Sequence, residues 1–120
     1  MLRILVVDDN ASFREAFSRA LDYQPDFEVV AQAGSLAQAR ANQLEGIDVA
    51  IIDRRLPDGD GLELIGELRE ASSGAKVLMM SAVVEPVQPR EALKAGVDGV
   101  VDKIASPEEI AAQIRALRDG

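Results

Sequence analysis

Five polar side chains stand just after apolar runs in this 120-residue chain. Asp8 and Asp9 follow the run 4–7, Asp53 follows 49–52, Ser81 follows 77–80, and Lys103 lies just past 100–101. If the runs are parallel strands of one sheet, all five residues share the edge where α/β sheets bind their ligands. Three carboxylates, a hydroxyl and an amine would then converge on one rim. Carboxylates that close do not all stay ionised cheaply without a cation. The oxygen-only supply suits a hard ion such as Mg2+, which keeps several waters and needs few protein ligands. That ion and Lys103 would both neutralise an incoming phosphoryl group, with the Ser81 hydroxyl as a hydrogen-bond donor.

Taken singly, each residue has an ordinary structural role. Asp53 would start a loop carrying Pro57, Gly59 and Gly61; Asp8 and Asp9 would open the loop before a helix. Ser81 would be a turn residue and Lys103 solvated surface. The combination is more specific, because each ordinary role would have to hold independently at four matching strand ends.

Composition removes other chemistries. There is no cysteine and no histidine, which excludes disulfides, thiolate metal sites, the usual zinc sites and His-based acid/base catalysis. With 21 acidic against 13 basic residues the net charge is -8, which disfavours nucleic-acid backbones and anionic membrane surfaces. Aromatics are only 3%, too few for base-stacking platforms, so the core must be mainly aliphatic. The chain opens directly on a strand-like run, without the apolar segment of a signal peptide, and no stretch approaches a membrane span. The expectation is a cytoplasmic domain with no membrane contact.

The elements that must position the rim follow from pattern. Five runs, 4–7, 29–31, 49–52, 77–80 and 100–101, are continuously apolar, as strands covered on both faces are. Helical patterns separate them. Phe13, Phe17 and Leu21 recur every four residues after Asn10 as N-cap, and 23–25 ends that helix. A second helix is predicted from Ser35 through Leu36, Ala39 and Leu44 to Gly46. A third opens on a capping box, Asp60 with Glu63, and buries Leu64, Ile65 and Leu68. A fourth covers 90–95, delayed by Pro86 and Pro89. The last has Ser106 as cap, Pro107 in first position and a buried face of Ile110, Ile114 and Leu117. Alternation of five strands with five helices predicts an α/β, flavodoxin-like (βα)5 three-layer sandwich with a parallel sheet in the order 2-1-3-4-5, one domain over 1–120.

At these residues the sequence resembles a response-regulator receiver domain of two-component signalling. The pieces are L-V-V-D-D-N at 5–10, I-I-D-R-R-L-P-D-G-D-G at 51–61, M-S-A at 80–82 and A-G-V-D-G-V-V-D-K at 95–103. The resemblance implies that Asp53 accepts a phosphoryl group from a phosphohistidine on a sensor histidine kinase. Asp9 would bind Mg2+, with Asp8 contributing directly or through water, and Asp53 and the Arg55 backbone carbonyl completing the protein's share. Ser81 and the Ala82 amide would bond the phosphoryl oxygens, and Lys103 would pair with the group. D-N-A-S-F-R-E at 9–15, Q-P-D-F-E-V-V at 24–30, R-L-P-D-G-D-G-L-E at 55–63 and A-S-P-E-E-I at 105–110 are similar to receivers that precede a LuxR-type helix-turn-helix. On that resemblance the chain is the receiver half of a transcription regulator, with DNA contacted by a further C-terminal domain and not by this one. Homodimerisation would use the helix 4–strand 5–helix 5 face or the helix 1/helix 5 face.

Three features depart from the family pattern. Val100 stands where an aromatic residue three before the lysine is usual, Ile104 where proline commonly follows it, and Pro86 and Pro89 interrupt the fourth helix. These departures motivate an alternative in which the domain signals without phosphorylation, through constitutive dimerisation or another ligand. A phosphatase using Asp53 as nucleophile would want an acid at position 55, where Arg55 stands. The expected role is therefore a phosphoacceptor and switch that assists its own phosphorylation and dephosphorylation, not a turnover enzyme. Arg55 is also the side chain expected to influence the lifetime of an aspartyl phosphate.

Overall fold

The computed structural model describes residues 1–42, 44–81 and 96–119, together with Arg90 and Lys94. Five parallel strands form the main sheet: β1 Leu2–Val7, β2 Phe27–Ala33, β3 Val49–Asp53, β4 Lys76–Ser81 and β5 Gly99–Asp102. Their order is β2-β1-β3-β4-β5, the flavodoxin-like arrangement predicted from the alternation of elements.

Continuous apolar runs are explained by the two faces they serve. Leu5 and Val7, Ala50 and Ile52, and Val77 point into one cluster with Leu36, Leu64 and Leu68. Their neighbours Ile4, Val6, Val49, Ile51, Leu78 and Met80 point the other way, against Phe17, Leu21, Ile110 and Ile114. A strand between two helical layers must be apolar at every position, since successive side chains alternate faces. Each fully buried aliphatic side chain contributes about 1.5–3 kcal/mol relative to exposure. Loss of a large one from β3, whose five residues are all buried, would be felt in the helices it packs against.

The helices start where cap chemistry predicts. In α1, Ala11–Asp22, the Asn10 side chain accepts from the Phe13 amide at 3.0 Å. Asp60 and Glu63 form the capping box of a short 3-10 turn, Gly61–Glu63, that runs into α3, Leu64–Ala71. At the C-terminal helix Pro107–Asp119, the Ser106 hydroxyl accepts from the Glu109 amide at 3.2 Å.

Two expectations need correction. The second helix, α2, covers only Leu36–Ala41 and does not reach Gly46. Asn42 ends it in an extended conformation and donates from its side chain to the Gln38 carbonyl at 2.8 Å, closing the last turn. Leu44 still packs on the core, with its carbonyl accepting from the Ser72 hydroxyl at 2.6 Å. The loop after β3 also holds structure that composition did not reveal, a two-residue antiparallel ladder pairing Arg55 with Asp60 and Leu56 with Gly59. Of the predicted fourth helix, Arg90 and Lys94 are helical; the remainder, with Ala82, Pro86 and Pro89, lies outside the described residues.

One tie fixes the entry to β5. The Arg69 guanidinium donates to the Gly96 carbonyl at 2.6 Å and to the Asp98 carboxylate at 2.7 Å. Asp98 in turn accepts from the Val77 amide at 2.8 Å, so the segment that leads into β5 is held to both α3 and β4.

Candidate functional site

The carboxyl edge of the sheet assembles the acidic residues as the strand pattern requires. Asp53 is the last residue of β3 and is 7% exposed. One of its oxygens accepts from the Arg55 amide at 3.2 Å, which turns the chain sharply out of the strand. Asp8, one residue past β1, is completely buried. Its amide donates to the Ala33 carbonyl at 2.9 Å and its Oδ1 accepts from the Asn10 amide at 2.8 Å. Asp9 beside it is exposed.

Gly61 lets the loop fold back so tightly. A Cβ there would collide with the Asp53 carbonyl and the Ile52 side chain, and the Gly61 amide donates to the Arg54 carbonyl at 2.7 Å. Any larger residue would push β3 and the loop that follows it apart.

Lys103 reaches this acidic pair from the far side of β4. Its ammonium lies 2.8 Å from Asp53 Oδ2 and 2.9 Å from Asp8 Oδ2. The Phe13 ring of α1 stands 5.4 Å from the same ammonium, giving it an apolar wall on one side. Burial works against the ammonium's charge, but the contacts with Asp53 and Asp8 outweigh it and hold its pKa above the ordinary value. The main chain holds the base of this arm, since the Lys103 amide donates to the Ser81 carbonyl at 3.1 Å. Ser81 thus ends β4 directly beside Lys103, half-buried on the same edge.

Asp8, Asp9 and Asp53 each offer one carboxylate oxygen, and these atoms lie within 4.8 Å of one another. Asp8 Oδ2 is buried, and its partner there is the Lys103 ammonium at 2.9 Å. Three converging carboxylate oxygens fit a hard divalent cation.

The sequence-predicted residues Asp8, Asp9, Asp53 and Lys103 are therefore brought together. Ser81 lies on the same edge, Arg55 contributes its amide to Asp53, and Ala82 lies outside the described residues. The supporting residues were less legible. Asp58 stands out in sequence only as part of a motif, yet its carboxylate accepts from the Leu36 and Ala37 amides at 2.8 and 3.0 Å. Those amides hold its pKa below the usual carboxylate value. It fastens the loop after Asp53 to the first turn of α2. Arg14 stands out in sequence only as part of the 9–15 motif, and its guanidinium donates to the Asp8 carbonyl at 2.8 Å.

Residues 4–115 match the profile of the response regulator receiver domain. The chain belongs to the response regulator receiver domain family. This receiver is 34% identical to the transcriptional regulatory protein UhpA of Escherichia coli (strain K12), over 100% of this chain and 60% of that protein. The chain thus spans about three-fifths of that relative. Among solved structures, a LuxR-family two-component response regulator from Aurantimonas sp. SI85-9A1 is 29% identical, with a TM-score of 0.80 over 98% of this chain and 85% of that one. A structure of the P1 domain of CheA3 in complex with CheY6 from R. sphaeroides matches at 29% identity and a TM-score of 0.79, over 99% of this chain and 98% of that one. The likeness to LuxR-type receivers read from the motifs is the one these comparisons give. Among the described residues no helix is long and apolar enough to cross a membrane.

Proposed function

We propose that this receiver takes a phosphoryl group onto Asp53 from a phosphohistidine on a sensor histidine kinase and passes the change to an output, transcription being the output its relatives suggest. The observation that carries this reading is the Lys103 ammonium, 2.8 Å from Asp53 and 2.9 Å from the buried Asp8. A carboxylate oxygen of Asp53 would attack phosphorus as the phosphorus–nitrogen bond to the donor imidazole breaks. The imidazole leaves with that electron pair and is neutralised by a proton. Lys103 opposes the negative charge that stays on the phosphoryl oxygens, a contribution of positioning and electrostatics. The Ser81 hydroxyl and the Ala82 amide are assigned to those oxygens.

Asp8, Asp9, Asp53 and the Arg55 carbonyl are the groups that would hold Mg2+. When bound, the ion offsets charge on the phosphoryl group and lets three carboxylates share one rim. The chain's own contribution is to keep Asp8 dry and aligned, through Asn10 and the main chain of β2. Nothing in this scheme needs repeated turnover. A cytoplasmic setting, a C-terminal DNA-binding domain and a homodimer through helix 4, strand 5 and helix 5, or through helix 1 and helix 5, belong to the same reading.

A second reading has its own observation. Val100 occupies the usual aromatic position on β5 and is 37% exposed, so the outer face lacks the ring that would report on the site. Signalling without phosphorylation would not need that ring. Incubation with Mg2+ and a small phosphodonor, followed by intact mass, separates the two. A one-phosphoryl adduct absent from Asp53→Asn supports phosphoacceptance; no adduct and no metal binding supports the second reading.

A further inference from the structure

The Asp8–Asp9 peptide is gripped by a residue that belongs to neither strand end. Arg14, one turn into α1, donates from Nη1 to the Asp8 carbonyl at 2.8 Å and from Nε to Gln32 Oε1 on β2 at 3.3 Å. The Asp8 amide is already fixed to the Ala33 carbonyl. Both sides of Asp8 in the main chain are therefore held, the amide by β2 and the carbonyl by the Arg14 fork. The Asp8 carbonyl and the Asp9 amide share one rigid plane. Fixing that carbonyl also fixes where the Asp9 Cα sits and narrows the directions its exposed side chain takes, which then depend on rotation about its own bonds. Gly34 makes room for the fork: a Cβ there would lie 2.9 Å from Arg14 Nη1 and 3.2 Å from Gln38 Oε1.

On the reading that Asp8, Asp9 and Asp53 hold Mg2+, we infer that Arg14 is a positioning residue for the ion, acting through the Asp8–Asp9 peptide plane. Its positive charge alone would oppose a divalent cation, so position and charge predict opposite outcomes when it is removed. Groups that orient metal ligands typically change affinity by about 10–100-fold when lost. The Mg2+ dissociation constant of Arg14→Ala is accordingly expected to rise roughly tenfold.

Gly34→Ala provides an independent arm. Both side-chain ends it would meet are flexible, so the fork is displaced while every charge is retained. Calorimetric titration with Mg2+ alone, on wild type, Arg14→Ala, Gly34→Ala and the double variant, tests the inference, with metal-free thermal midpoints measured alongside. Weaker binding in both single variants, with the double variant no weaker than Arg14→Ala, supports it. Tighter binding in Arg14→Ala, or unchanged binding in Gly34→Ala, overturns it, as do lowered midpoints with unchanged affinity. Wild type that binds no Mg2+ overturns the metal reading itself, a result separate from the others.

Discussion

Lys103 meets Asp53 at 2.8 Å across the width of β4, although the two residues end strands that are not neighbours in the sheet. The same ammonium is the ion-pair partner of Asp8, a carboxylate with no exposure. Removing it would leave two close negative charges facing each other. Lys103→Met is expected to lower metal-free stability by about 2 kcal/mol, below the roughly 3–5 of a fully buried broken pair, because the ammonium keeps partial contact with water. Saturating Mg2+ should narrow the difference between variant and wild type. Urea denaturation with and without the ion checks both statements; an equal deficit in the two conditions would count against a shared charge site.

The raised pKa of Lys103 has a definite sign. A group protonated more strongly in the folded state stabilises it fully below its ordinary pKa of 10.5, and that contribution is lost as pH rises through the higher folded value. Wild-type melting temperature should therefore drop more steeply above pH 10.5 than that of Lys103→Met. Parallel curves would refute the assignment.

Asp26 gives the opposite limb. Its carboxylate accepts from Arg115 at 2.7 and 3.0 Å and from Arg118 at 3.1 Å, and these guanidinium groups hold its pKa far below the ordinary 3.8. Its contribution is present above pH 3.8 and is lost as pH falls below that value toward the folded pKa. Melting curves of wild type and Asp26→Asn should differ near neutrality and converge in strong acid. A gap that stays constant would exclude this ion pair as its source.

Asp58→Ala should loosen α2 locally. The Leu36 and Ala37 amides lose their acceptor, so their hydrogen exchange is expected to speed up, while the amide of Ile51 in the sheet changes little. Unchanged exchange at both positions would show that water replaces the carboxylate without loss.

Gly61→Ala forces a methyl group against the Asp53 carbonyl. A destabilisation of about 2–3 kcal/mol is expected from overpacking. The phosphoryl adduct should also form more slowly, since the carbonyl and the acceptor carboxylate belong to one residue. Denaturant midpoints and intact mass over time would show whether both effects occur together.

Much of this could be read from the chain because strand ends are marked twice. Ile52 to Asp53 and Val7 to Asp8 are abrupt changes from apolar to charged, and parallel pairing then brings the charges together. Ser35, Asp60 and Ser106 likewise announce helices through side-chain chemistry that acts within four residues. The hidden parts depend on distant partners. Nothing near Asp58 in sequence says that it caps a helix 22 residues earlier. Asn42 ended α2 early with a bond from its own side chain, which apolar spacing through Leu44 could not register. The part Arg14 plays is hidden because its acceptor is a carbonyl, and a carbonyl leaves no mark on the sequence.

The clasp of Arg69 on Gly96 and Asp98 has a mechanical meaning for the opposite end of β5. The strand is four residues long, about 13 Å, clasped just before its first residue, paired with β4 along its length and tied again at the Lys103 amide. It is a short beam held at both ends. The freedom in the link between Lys103 and Asp53 therefore lies in the lysine side chain more than in the strand that carries it.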